Sequence, residues 1–253
     1  MKCLFCNKLG PYSTIEHIVP ESLGNTTLLL SGQVCDACQS YFGKEVEKYV
    51  LERSPIGAWR VFAGIKTKHG ASPKFSFKQP KHDKGHLPDR HPVNDDGVTF
   101  YSSLDGKQEY GIDDEKLLKE IEEGEKTNFK LVLTPKMLYM MARFLGKIGL
   151  EILARDYPNL VRTLHFDQIR QFTRYGQPVR FLWPIFYGTT GGAPTATPCE
   201  VCVLDSNPDR KTTYTLSILT LGSECWIICL NDPYPTPEIK KSFPNIKIQA
   251  LTY

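Results

Sequence analysis

With 253 residues, 41% of them hydrophobic and 23% charged, the chain has the balance of a folded globular protein rather than a disordered one, and enough length for two domains. A net charge of +3 conceals an uneven spread: residues 98–126 hold four basic against nine acidic side chains, while 127–253 hold fourteen against nine. Mild basicity of this kind permits a polyanionic partner and does not demand one. The start, Met1-Lys2-Cys3-Leu4-Phe5-Cys6, lacks the apolar run of a signal peptide, and no window approaches the roughly 20 apolar residues of a membrane helix, so a cytoplasmic protein without a membrane partner is expected.

Residues 1–40 alternate tight turn signals with short apolar stretches. A helix is expected from Ala37 to Phe62, with Phe42, Val46, Tyr49, Val50 and Trp59 near a helical period and with Pro55 and Gly57 kinking or splitting it. From Lys66 to Gly97 the chain is rich in Lys, His, Pro and Asp, which marks a linker or long hairpin, with one alternating run at Lys74–Lys78. Asp113-Asp114-Glu115 then opens a charged helix through Ile121, and Phe129–Leu133 reads as a strand. Thr134-Pro135 starts the best helix in the chain, Lys136 to Arg155, whose Leu138, Met141, Leu145, Ile148, Ile152 and Leu153 make a wide apolar face. A further helix is expected over Asp167–Tyr175. Beyond Pro178 come short β-rich runs at 179–187, 199–205, 214–221, 225–230 and 246–253. The fold class is therefore α+β, with residues 1–62 as an N-terminal domain, 63–97 as linker or hairpin, and 98–253 as an α+β domain on an antiparallel sheet.

The chemistry concentrates near the start. Cys3-x2-Cys6 and Cys35-x2-Cys38 are two CxxC knuckles, the pair spacing of a structural zinc site whose four thiolates leave no position for water. Such an ion staples a fold and does no catalysis. Between the knuckles lies Glu16-His17-Ile18-Val19-Pro20, and after the second comes Cys38-Gln39-Ser40-Tyr41-Phe42-Gly43-Lys44. A neutral imidazole suits the activation of water near neutral pH, and a neighbouring carboxylate suits a hard cation. Adjacent residues of a strand point to opposite faces, so Glu16 and His17 can share one phosphate only where the backbone bends.

This constellation, over about residues 3–53, resembles the zinc-containing branch of the HNH endonucleases, in which an acid-His dipeptide followed by Ile-Val-Pro ends the first strand of a hairpin. The resemblance implies a ββα-metal domain that hydrolyses phosphodiester bonds, DNA before RNA, leaving 5′ phosphate and 3′ hydroxyl ends. It implies His17 as general base and a catalytic Mg²⁺, Mn²⁺ or Ni²⁺ held by Glu16 and by Gln39; Glu47, eight residues beyond Gln39 and about 80° around a helix of 3.6 residues per turn, is by that spacing a substitute or additional ligand. Zinc at Cys3, Cys6, Cys35 and Cys38 remains structural. Where the family offers Asn or His after the last cysteine, this chain has Gln39, and its middle Asn has Asn25 as nearest counterpart, a residue suited to holding the loop. Lys44 falls where the family places a basic residue near phosphates. Family context also suggests an effector in defence or restriction, with a homo-oligomer or partner protein left open. The other class of reading is a zinc-stapled module that binds nucleic acid or protein after losing the catalytic ion. Structural roles compete residue by residue: His17 as a buried, satisfied histidine, Glu47 and Lys44 as solvated helix positions. Cys199, Cys202, Cys225 and Cys229, lying in β-rich apolar runs, are read as core packing and not a second zinc site.

Overall fold

The expected best helix forms as α4, Pro135–Asp156, with Thr134 Oγ1 accepting from the Met137 amide at 3.2 Å as its cap. This is seen in a computed structural model that describes residues 1–66, 70, 74–76, 98–102, 108–112, 119, 123–124, 133–177, 183–189, 199–207, 212–233 and 249–251. The charged helix expected from Asp113 to Ile121 and, but for Leu133, the strand expected at Phe129–Leu133 lie outside these residues. No helix among the described residues is long and apolar enough to cross a membrane.

The first elements are a two-stranded antiparallel hairpin, β1 (Ile15–His17) and β2 (Leu29–Ser31), paired Ile15 to Ser31, Glu16 to Leu30 and His17 to Leu29. The helical stretch expected from Ala37 is observed as α1 (Asp36–Tyr41), a wider π-helical turn at Phe42–Glu47, α2 (Lys48–Arg53) and α3 (Pro55–Phe62). Its break falls at Ser54. Pro55 opens α3, where its missing N–H costs nothing. A Cβ on Gly57 would lie 2.2 Å from the Leu51 carbonyl oxygen, so only glycine lets the two helices meet at that point.

The chain divides into two compact units: Met1–Glu21, Asn25–Glu47 and Leu138–Tyr253 form one, and Ser22–Gly24 with Lys48–Met137 form the other. Inside the first unit α4 is bonded to the N-terminal segment: the Gln33 amide donates to the Ala154 carbonyl at 2.7 Å, and Lys147 reaches the β1 backbone. The second unit holds α2, α3 and a three-stranded antiparallel sheet, β3 (Lys74–Ser76), β4 (Val98–Ser102) and β5 (Gln108–Ile112), in the order β3-β4-β5. The last two strands were not foreseen.

In the first unit, α4 lies against both α5 (Asp167–Tyr175) and an antiparallel sheet of β6 (Ile185–Thr189), β7 (Cys199–Asn207), β8 (Thr212–Leu221), β9 (Glu224–Cys229) and β10 (Gln249–Leu251), ordered β10-β6-β9-β8-β7. Two glycines set these approaches. A Cβ on Gly146 would lie 2.5 Å from the Thr173 hydroxyl, and one on Gly149 would lie 2.5 Å from Ser217 Cβ. With neighbours on two sides, α4 is buried almost all round, including Phe144, Leu145, Ile148 and Leu150. Cys225 and Cys229 sit in an apolar cluster with Phe186, Tyr214, Leu216, Ile218 and Ile227, as core packing requires.

Candidate active site and metal centre

The first CxxC knuckle is a tight turn, closed by the Cys3 amide on the Lys8 carbonyl at 2.8 Å and passing through Asn7 at a positive φ of 58°. The second opens α1, where the amides of Cys38 and Gln39 both bond the Cys35 carbonyl. Cys35 stands at the cap position without a side-chain cap bond, and burial pushes its thiol pKa up. The two knuckles converge: the ligand atoms of Cys3, Cys6, Cys35 and Cys38 all lie within 4.8 Å of one another. A tetrahedral zinc with Zn–S bonds of about 2.3 Å sets its sulfurs roughly 3.8 Å apart, and Cys6 Sγ is 3.5 Å from Cys35 Sγ. The donor set therefore fits one structural zinc ion. Hydrogen bonding from Cys38, with help from backbone amides, holds the Cys3 thiol down at about 4 against the opposing effect of burial. Arg174 of α5 donates from Nε to Cys38 Sγ at 3.3 Å and lies 3.8 Å over the Tyr41 ring, placing a cation beside the sulfurs.

The hairpin presents the dipeptide on two faces. β1 runs as regular strand, so Glu16 turns inward, its side chain 9% exposed, while His17 turns outward at 37%. His17 Nδ1 is 4.0 Å from Glu21 Oε2. Asn25 is buried and saturated by its loop: Nδ2 donates to the carbonyls of Val19 at 2.7 Å and Leu28 at 3.2 Å, and Oδ1 accepts from the amides of Thr27 and Leu28. Gln39 donates from Nε2 to the Val34 carbonyl at 3.1 Å. Lys44 is exposed on the π-helical turn.

Glu16 and Glu47 do come together, and the residue that joins them is Lys147 of α4. Its ammonium lies 2.6 Å from Glu16 Oε1, 2.8 Å from Glu47 Oε1 and 3.1 Å from Glu151 Oε2, and it donates to the carbonyl of His17 at 3.1 Å. The Lys147 side chain is 0% exposed. Burial works against its charge, but Glu151, Glu47 and Glu16 together hold its pKa above the usual lysine value. Burial pushes the Glu151 carboxyl well above its ordinary range, with Lys147 pulling the other way. A divalent ion seeks carboxylate oxygens at about 2.0 to 2.6 Å, and here the space between those of Glu16 and Glu47 is filled by an ammonium nitrogen. The pair does not fit such an ion while Lys147 stands there, and among the described residues Gln39 bonds the Val34 carbonyl and neither carboxylate.

Sequence reasoning missed Lys147, Glu151 and Arg143. All three fall at every fourth position in the middle of a largely apolar helix, and that stripe was the available signal. Arg143 bonds the Tyr41 hydroxyl at 2.6 Å and the carbonyls of Thr173 and Arg174 at 3.1 and 3.0 Å, tying α4 and α5 to α1.

Residues 3–54 match the model of the HNH endonuclease family. No curated protein and no solved structure matches the chain.

Proposed function

We propose that this chain hydrolyses phosphodiester bonds of DNA or RNA, with His17 as general base. The observation that carries the reading is the outward, partly exposed imidazole at the end of β1, inside the segment that matches the HNH endonuclease family. In this reading His17 Nε2 takes a proton from a water whose oxygen attacks phosphorus. The bond to the 3′ oxygen breaks, and that oxygen is protonated from solvent, giving 5′ phosphate and 3′ hydroxyl ends. Glu21 Oε2 lies 4.0 Å from Nδ1, on the side of the ring away from that water. Lys44, exposed on the helical stretch, meets backbone phosphates. Zinc at the four cysteines would brace the hairpin against α1. The Mg²⁺, Mn²⁺ or Ni²⁺ that the family resemblance implies would supply charge to the phosphorane; no step here passes through it, because Glu16 and Glu47 are engaged by Lys147. The wider role consistent with the family, an effector in defence or restriction, makes the remainder of the chain a regulator of this site.

One observation favours a second reading. An ammonium between the two carboxylates is what a zinc-stapled binding module that has lost its catalytic ion would show. The test is cleavage of supercoiled plasmid and of a single-stranded RNA by zinc-loaded protein, with no added ion and with Mg²⁺, Mn²⁺ or Ni²⁺, beside a His17→Ala control. The nuclease reading expects cleavage by the wild type and a loss of about 100-fold or more in the variant. Equal cleavage by both removes His17 from the chemistry. Binding of either substrate without cleavage in every condition replaces the nuclease by the module.

A further inference from the structure

We infer that Lys147 is the resident cation of the Glu16–Glu47 pair: its ammonium takes the position between the two carboxylates that a divalent ion would hold in a ββα-metal site, and α4 thereby completes a centre that the N-terminal segment cannot complete alone. Three observations converge. The nitrogen lies 2.6 and 2.8 Å from one oxygen each of Glu16 and Glu47, ordinary lengths for charge-assisted hydrogen bonds. It also donates to the backbone carbonyls of His17 at 3.1 Å and Ile18 at 3.4 Å, so the same group that neutralises the carboxylates fixes the strand carrying the imidazole. Finally, Lys147 has no exit: its side chain is 0% exposed, on a helix pinned by Gly146 against α5 and by Gly149 against β8.

An ammonium offers three protons and a fixed single charge, whereas a divalent ion offers open coordination positions for a phosphate oxygen and water. Five oxygens lie within 3.4 Å of the one nitrogen, and with its side chain 0% exposed Lys147 has no open side for a substrate. Its part is that of a positioning residue, holding Glu16 inward so that His17 faces out. Glu151, four residues on along α4, approaches from the remaining side. Neither carboxyl oxygen of the buried Glu151 has a hydrogen-bond partner among the described residues, although Oε2 lies 3.1 Å from the Lys147 nitrogen, and burial raises the pKa of this carboxyl. The family match ends at residue 54, ninety-three positions before the lysine, so this cation belongs to a part of the chain that the match does not cover.

The inference concerns binding, so it is tested by binding and stands or falls apart from cleavage. Zinc-loaded full-length protein is titrated with Mn²⁺, and free Mn²⁺ is read by electron paramagnetic resonance, for the wild type, Glu16→Gln, Lys147→Met and the Lys147→Met/Glu16→Gln pair. The expected result is no Mn²⁺ site in the wild type that Glu16→Gln removes, and a new site in Lys147→Met that the added Glu16→Gln weakens by roughly tenfold or more. A saturable Mn²⁺ site in the wild type, lost in Glu16→Gln, overturns the inference, and that arm decides even where Lys147→Met fails to fold. A folded Lys147→Met protein that gains no Mn²⁺ site also overturns it, because the lysine would then be only a structural ion-pair partner.

Discussion

Two clusters of ligating side chains lie in the same unit, and they differ in what occupies their centres. Four sulfurs converge with Arg174 at their edge, and their spacing fits a metal at the centre. Three carboxyl groups converge with a cation at their middle, and that cation is the chain's own Lys147. Convergence of donors is therefore no sufficient sign of a metal site. What separates the two is whether the surrounding fold already supplies the charge.

The largest effect that can break this comparison is at the sulfurs. Stripping zinc from the four cysteines removes binding energy on the order of 10 kcal/mol, and the melting transition followed by circular dichroism should fall sharply or vanish. An unchanged melting temperature in metal-free protein would mean that the sulfurs are merely packed thiols. Next in size is Lys147→Met. Breaking a buried ion pair by removing one partner costs about 3 to 5 kcal/mol, read by urea denaturation. Adding Glu16→Gln and Glu47→Gln to that variant should recover at least about 1 kcal/mol, since the uncompensated charges leave with the lysine. Strict additivity would show that the three groups do not act as one cluster.

A smaller effect should appear in pH dependence. The Glu151 carboxyl is raised in the folded chain by burial, so the unfolded state loses its proton first, from about pH 4.3 upward. Stability should then fall as pH rises from there through the folded value, and Glu151→Gln should flatten that fall while leaving acid stability unchanged. Parallel stability profiles for the two proteins would assign the slope to other groups. The smallest effect belongs to His17→Ala. A side chain 37% exposed, with a 4.0 Å approach to Glu21, should change stability by less than about 0.5 kcal/mol, so any loss of cleavage in that variant is chemical. A large drop in its melting temperature would instead make His17 a structural residue.

Much of this was legible in the chain because it is written locally. Paired CxxC knuckles announce a four-sulfur site by spacing alone, and the Thr134-Pro135 start and apolar period announce α4. Lys147 was not legible for the opposite reason. Arg143, Lys147 and Glu151 form a charged stripe, and on an amphipathic helix such a stripe ordinarily faces water. Only the placement of Glu16 and Glu47, far away in sequence, turns it inward. The hairpin of β4 and β5 escaped notice because Gln108-Glu109-Tyr110-Gly111-Ile112 lacks a clean alternation and lies among acidic residues.

The most direct measurement is anomalous diffraction at the zinc and manganese edges from crystals of the full chain grown with both metals. A zinc peak centred on the four sulfurs, with Lys147 Nζ between Glu16 and Glu47 and no manganese peak there, is the predicted result. A manganese peak bridging those two carboxylates, with the lysine displaced, would contradict it.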